Sequence, residues 1–231
     1  MDNHTEDRIL SLFPTPLYTY KLEAEAYASV QNELQIVVDK LYLNNTWAQN
    51  PNWSSNSQLL SNKGNFVESI LKIEDMEVVK SFILDHCLEF MRLQEVKPNY
   101  KPAIESSWLT LTTPGLSSHI HDHGSTHISG VYWFKTNGQD GDLVFRNAFK
   151  ALKCNPIGAD AANEARFSPE QGRIVLWPGY LDHSVNENKT SEDRISLSFN
   201  IILETGEFEI SDMQAFMIEQ IQKQNFQTGV A

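Results

Sequence analysis

The sequence predicts a mainly β protein with supporting helices, arranged as a jelly roll or sandwich of about eight strands. Three observations carry this. Residues 104–204 divide into short apolar or alternating runs separated by turn residues, the pattern of successive antiparallel strands. Residues 1–100 instead carry apolar positions at helical spacing. Hydrophobic residues make up 41% and charged residues 21%, enough apolar material for a packed core and against extended disorder.

Taken in order, Leu10 to Leu22 opens the chain as an extended piece. Pro14 and Pro16 precede alternating Tyr18 and Tyr20, which suits an edge strand, where a missing N–H breaks no ladder. Residues 23–43 place Val30, Leu34, Val37 and Leu41 near helical spacing. Residues 44–64, rich in Asn and Ser, read as loop. Residues 65–95 give two more helices divided near Glu74–Asp75, the second with a stripe of Val78, Val79, Phe82, Ile83, His86 and Phe90 expected in the core. Eight strands are then expected at 104–113, 118–123, 127–135, 142–146, 165–168, 172–177, 182–187 and 194–204. Asn137–Gly138–Gln139–Asp140–Gly141 reads as a hairpin turn, because Asn and Gly tolerate the positive φ such turns need. Residues 149–164 read as a loop over one end, and residues 211–224 as a closing helix capped by Ser211. A single domain over 1–231 is expected: helical support with an edge strand over 1–103, the β core over 104–204 and the closing segment over 205–231.

Charge and cysteine usage exclude some classes. The net charge of −12, with basic residues scattered no more densely than in pairs, repels phosphate backbones and disfavours nucleic acid as a partner. Cys87 and Cys154 form neither a disulfide framework nor a CxxC metal site, and suit a reducing cytoplasm. No apolar run reaches the roughly 18 residues that cross a bilayer, and MDNHTEDRIL lacks the basic and apolar regions of a signal peptide.

Function begins to show in the histidines. Of seven, four lie between 119 and 127: His119, His121, His123 and His127. On a strand, His119, His121 and His123 share one face. Imidazole is the commonest protein ligand for Zn, Fe, Cu and Ni. At about 3.3 Å per residue, His119 and His123 stand about 13 Å apart, too far to share an ion without strain. The pair is therefore 119/121 or 121/123, and His121 belongs to both. A third ligand must come from elsewhere, and His183, after the Pro178–Gly179 turn, is the downstream histidine available. Such a set leaves open positions for an oxygen-activating or Lewis-acid metal. Arg194 follows eleven residues later, with Ser196 on the same strand face. A guanidinium beside a hydroxyl suits capture of a carboxylate.

These residues resemble the 2-oxoglutarate/Fe(II)-dependent dioxygenases, in particular a bacterial and phage subgroup whose FPTPLY-like opening is met at 13–18. The resemblance covers roughly residues 104–204 and implies a double-stranded β-helix (jelly roll, cupin-like) fold. Trp108, Gly115 and His121 meet the family's W-(x)12-H pattern with glycine six before the histidine, and SGVYWF at 129–134 matches its next strand. By this resemblance His121 and His183 bind iron, His123 stands where the second ligand is usually Asp or Glu, and Arg194 with Ser196 holds the far carboxylate of 2-oxoglutarate. The implied reaction hydroxylates a substrate and releases succinate and CO2. The chain implies nothing specific about that substrate beyond a small molecule or protein side chain. His119 stays open as the alternative second ligand. Trp133, Trp177 and Phe145 are expected in the core or along the pocket.

Two other readings use the same histidines. Gly115, His121, His123 and His127, followed by Gly172, Pro178 and His183, also approximate the two cupin motifs. A non-catalytic, metal-dependent binding protein is the third. Arg194 separates them, because neither rival needs an anchor for a co-substrate carboxylate.

Overall fold

The computed structural model describes residues 15–43, 47–48, 58–60, 69–147 and 164–205. Two helices, α1 (Ala24–Leu43) and α2 (Glu77–Leu93), precede most of the sheet structure. The strands are β1 (Tyr18–Lys21), β2 (Trp47–Ala48), β3 (Gln58–Leu60), β4 (Tyr100–Thr112), β5 (Ser118–His121), β6 (Ile128–Lys135), β7 (Leu143–Arg146), β8 (Glu164–Phe167), β9 (Arg173–Pro178), β10 (His183–Val185) and β11 (Arg194–Thr205). They form a seven-stranded sheet of order β1-β9-β6-β11-β4-β3-β2 and a four-stranded sheet of order β5-β10-β7-β8, antiparallel throughout. The expected mainly β double-stranded β-helix with supporting helices is the observed fold, and all eight strands expected between 104 and 204 are present.

The large sheet is mostly buried on both faces, and its two faces serve different purposes. Along β11, Ile195, Leu197, Phe199 and Ile201 are buried toward the helices, where they join Leu109, Leu111, Tyr132, Ile174 and Leu176. Val30, Leu34 and Val37 of α1 and Val79, Ile83, Cys87 and Phe90 of α2 complete that core. The alternate set on the other face points between the sheets. There Val131, Trp133, Val175 and Trp177 meet Leu143, Phe145 and Leu181 in a second cluster. Period-two alternation thus gives one strand two different neighbourhoods.

Close packing fixes the sheet-to-helix side. Gly130 in β6 has no space for a side chain: an added Cβ would stand 2.4 Å from the Phe199 ring and 2.7 Å from Leu176. Glu33 of α1 accepts the backbone N–H groups of Val78 and Val79 at 3.1 and 2.7 Å, supplying the free donors at the α2 N-terminus.

Several expectations are corrected. Residues 137–141 do not close a hairpin: β6 lies between β9 and β11, while β7 belongs to the small sheet, so the turn carries the chain from one sheet to the other. The first of the two helices expected in 65–95 is reduced, among its described residues, to two 3-10 turns, Ile70–Lys72 and Glu74–Met76. The stretch read as loop over 44–64 contains β2 and β3, which extend the large sheet. Val78 is 46% exposed rather than in the core. His86 is half-buried, its Nδ1 hydrogen-bonded with the Tyr18 hydroxyl at 2.6 Å. The closing helix with its Ser211 cap, residues 10–14 and the loop expected over 149–164 lie outside the described residues, except for Glu164, which begins β8. No helix among the described residues is long and apolar enough to cross a membrane.

Candidate active site

The three imidazoles meet at one end of the space between the sheets. His121 ends β5 and His183 begins β10, and the antiparallel register sets them directly opposite each other. His123 arrives by a different route from the one expected. β5 stops at His121, and Gly124, at φ +59, turns the chain back. Asp122 braces that turn by accepting the Gly124 N–H at 2.7 Å, while the His123 N–H donates to the Gly179 carbonyl at 2.9 Å. The turn rather than strand alternation brings His123 to its neighbours. One ligating nitrogen from each of His121, His123 and His183 lies within 4.8 Å of the others. His119 is exposed and is not in this group.

Ring orientation suits metal binding. Since a carbonyl only accepts, His183 Nδ1–H donates to the Leu181 carbonyl (2.9 Å) and His121 Nδ1–H to the His119 carbonyl (2.7 Å). Each ring then keeps its Nε2 lone pair free. The Nε2 atoms of His123 and His183 are 3.2 Å apart. Two nitrogens at right angles around an ion, each about 2.1 Å away, would be separated by about 3.0 Å. Burial lowers the pKa of His121, holds that of His123 down to about 4 and that of His183 down to about 3, with the neighbouring imidazoles adding to the effect on the last two. All three rings are neutral at pH 7, the form that ligates a cation. Trp108 lies against His123, with ring centroids 5.9 Å apart, and Trp177 against His183 at 4.9 Å.

Arg194 begins β11 at the far end of the same cavity and is 3% exposed. Burial lowers its pKa to about 10, opposed by Asp140, so it stays cationic at neutral pH. Its Nη1 donates to the carbonyls of Asp140 and Gly141, both at 2.9 Å, and its Nη2 donates to Thr112 Oγ1 at 3.0 Å. Its Nε is buried without a partner, as is the indole Nε1 of Trp177. Ser196, Ser198, Thr110 and Thr112 line the stretch between Arg194 and the histidines, with Trp108, Trp133 and Trp177 as aromatic walls. Phe145 packs on Trp177 and His183 behind that wall.

The residues present fit iron and 2-oxoglutarate. Three neutral imidazoles offer lone pairs to a divalent ion and leave other coordination positions free, and two buried donors, Arg194 Nε–H and Trp177 Nε1–H, await acceptors in the same cavity. Sequence reasoning named His121, His123, His183, Arg194, Ser196, Trp133 and Trp177. It missed Asp140, Trp108 as a wall beside His123, and the hydroxyls of Thr110 and Thr112. The last two were legible in principle, since they alternate with buried Leu109 and Leu111 on a single strand.

Fold and site define a class, the 2-oxoglutarate/Fe(II)-dependent oxygenases, with Fe(II) and 2-oxoglutarate as cofactor and co-substrate. Residues 106–200, the stretch that holds every residue of the site, match the family described as "Putative 2OG-Fe(II) oxygenase". Solved structures agree in fold. A Pseudomonas putida prolyl-4-hydroxylase superposes with a TM-score of 0.56 at 12% identity, over 84% of this chain and 94% of that one. A Trichoplax adhaerens prolyl hydroxylase, solved with a hypoxia-inducible-factor degradation-domain peptide, gives 0.55 at 14% identity, over 80% and 83%. The epimerase SnoN of nogalamycin biosynthesis, solved with Fe3+, α-ketoglutarate and nogalamycin RO, gives 0.57 at 12% identity, over 85% and 84%. No curated protein matches the chain in sequence.

Proposed function

We propose that this oxygenase hydroxylates a C–H bond of a small molecule or a protein side chain, with His121, His123 and His183 as the iron ligands and Arg194 with Ser196 as the anchor of 2-oxoglutarate. In the overall balance 2-oxoglutarate, O2 and R–H give succinate, CO2 and R–OH. Iron, when bound, supplies the redox chemistry that couples O2 to 2-oxoglutarate decarboxylation. The protein supplies orientation and shelter. Carbonyl groups at His119 and Leu181 hold two of the rings in the ligating tautomer. Arg194, held by Thr112 and the 140–141 turn, presents a preformed cation to a distal carboxylate. Trp108, Trp133 and Trp177 restrict water around the reacting centre.

The observation that carries this reading is a single cavity with the histidine trio at one end and a buried, cationic arginine at the other. Neither the cupin reading nor the binding-protein reading calls for that arginine. The net charge of −12 supports a small-molecule or protein substrate over nucleic acid, and the free, buried Cys87 suits a reducing, cytoplasmic setting. Calorimetric titration of 2-oxoglutarate into the Fe(II)-loaded, oxygen-free protein tests the reading. Saturable binding that is lost in Arg194→Ala while iron is retained supports it. Iron binding with no 2-oxoglutarate binding would return the protein to the cupin reading.

A further inference from the structure

We propose that Asp140 sets the enzyme's affinity for its 2-oxo acid: its buried carboxylate shares the charge of Arg194 with the distal carboxylate of the co-substrate, making Asp140 a specificity-determining residue. The inference rests on the reading of Arg194 as the anchor.

Asp140 is fully buried in the turn that carries the chain from β6 to β7. The turn supplies its hydrogen bonds. Thr136 Oγ1–H is shared between its two carboxylate oxygens, 2.8 Å from each, and the Asn137 N–H donates at 3.0 Å. Its Oδ1 lies 4.0 Å from Arg194 Nη1, and that nitrogen donates instead to the backbone carbonyls of Asp140 and Gly141. Asp140 therefore offers Arg194 a counter-charge without occupying the guanidinium's remaining donors. Nε–H stays unpartnered. Gly141 makes this fit possible. At φ +110, a Cβ there would stand 2.3 Å from the Asn186 carbonyl oxygen and 3.2 Å from Arg194 Nη1.

Two consequences follow from one charge. Without ligand, a guanidinium that is 3% exposed would be a buried charge with no opposite charge beside it, and Asp140 removes that penalty. With ligand, the guanidinium faces two carboxylates, and the one built into the protein repels the one that arrives. In a dry site such repulsion is weakly screened. Asp140 thus keeps the anchor folded and ready while weakening the grip on any 2-oxo acid with a second carboxylate. A 2-oxo acid lacking that second carboxylate does not feel it.

The test is calorimetry on Fe(II)-loaded, oxygen-free protein with two probes, 2-oxoglutarate and 2-oxobutanoate, in the natural chain and in Asp140→Asn. An Asn carbonyl still accepts from Thr136 and Asn137, so the turn's hydrogen bonds survive the loss of charge. The dissociation constant for 2-oxoglutarate is expected to fall roughly tenfold, that for 2-oxobutanoate to stay unchanged, and the ligand-free melting temperature to drop. Where Asp140 merely shapes the turn, Asp140→Asn weakens 2-oxoglutarate binding or leaves it unaltered, and either result overturns the proposal. Asp140→Ser, neutral and smaller, repeats the comparison should the Asn variant not fold. Arg194→Gln separates the two levels of inference. Unaltered 2-oxoglutarate affinity in Arg194→Gln removes the anchor itself. Affinity lost there, with none gained in Asp140→Asn, leaves the anchor standing and overturns only the role given to Asp140.

Discussion

The two faces of β11 differ in what they can tolerate. One face, Ile195, Leu197, Phe199 and Ile201, is packed against the helices and almost wholly shielded from solvent. The other face carries Arg194, Ser196 and Ser198, which line the cavity between the sheets, and Asn200, which bonds Ser129 and Ser106. The first face is satisfied by the protein alone, through shape and apolar area. The second leaves a buried Arg194 donor unmet and is completed by something that binds. Stability and function alternate residue by residue along one strand, so substitutions on neighbouring positions should fail in different ways.

The largest effect is expected on the helix-facing side. Phe199→Ala removes a ring that is 1% exposed and fills the space over Gly130. Comparable core truncations cost about 3–5 kcal/mol. Urea denaturation of the metal-free protein should show it as a lower midpoint with iron stoichiometry unchanged wherever the variant remains folded. A loss well under about 1 kcal/mol would mean that this face is not the stabilising one.

On the cavity side, His183→Ala should do the reverse. Removing a ligand should weaken iron binding by at least about a hundredfold, since disturbing even a ligand's hydrogen-bond partner costs 10–100-fold. The urea midpoint of the metal-free protein should fall by less than in Phe199→Ala, because the ring is smaller than a phenyl and packs on two further imidazoles as well as on Trp177 and Phe145. Iron binding measured by chelator competition checks the first half. Retained iron affinity would remove His183 from the ligand set.

Acid sharpens the contrast. His183 and His123 are held neutral in the folded chain down to about pH 3 and about pH 4, against an ordinary histidine value of about 6.5. Above pH 6.5 neither state binds the proton, and these groups contribute no pH dependence. Below it the unfolded chain takes up protons that the folded chain refuses. Stability therefore falls with pH, by about 1.4 kcal/mol per unit for each fully shifted ring. Urea midpoints at pH 7.5 and 5.5 should show the decline in metal-free protein, and His183→Gln should make it shallower by about one ring's worth. Phe199→Ala, by contrast, should shift the whole curve without changing its slope.

How much of this was legible in the sequence follows the same division. Strand alternation is local, so the apolar positions of β4, β6, β9 and β11 announced the sheets. The convergence of His121 and His183 came from the resemblance and from the scarcity of other histidines downstream. Three features were not local enough to read. The route of His123 depends on a turn after His121 that ends the strand early. The 137–141 segment has hairpin chemistry, yet β6 is already flanked by β9 and β11, and tertiary pairing overrides the turn signal. Asp140 looked like an ordinary turn residue, because its partner Arg194 lies 54 positions away.

The smallest expected effect tests the cavity face most directly. Ser196 sits two residues beyond Arg194, in register with Thr110 on one side and Trp133 on the other, and lines the cavity. If its hydroxyl donates to the distal carboxylate beside the guanidinium, Ser196→Ala removes one hydrogen bond to a charged group, worth about 1.5–3 kcal/mol at most, and weakens 2-oxoglutarate binding by roughly tenfold. Nothing in the core depends on that hydroxyl, so the urea midpoint should stay within about 0.5 kcal/mol of the natural chain. Iron affinity should also hold, because no imidazole leans on Ser196. Leu197→Ala, one residue along and on the opposite face, should give the mirror result: stability reduced by about 2–5 kcal/mol and co-substrate affinity preserved in the folded fraction. Both variants shifting the same property, by calorimetry and by denaturation, would show that the two faces are coupled through the strand rather than independent.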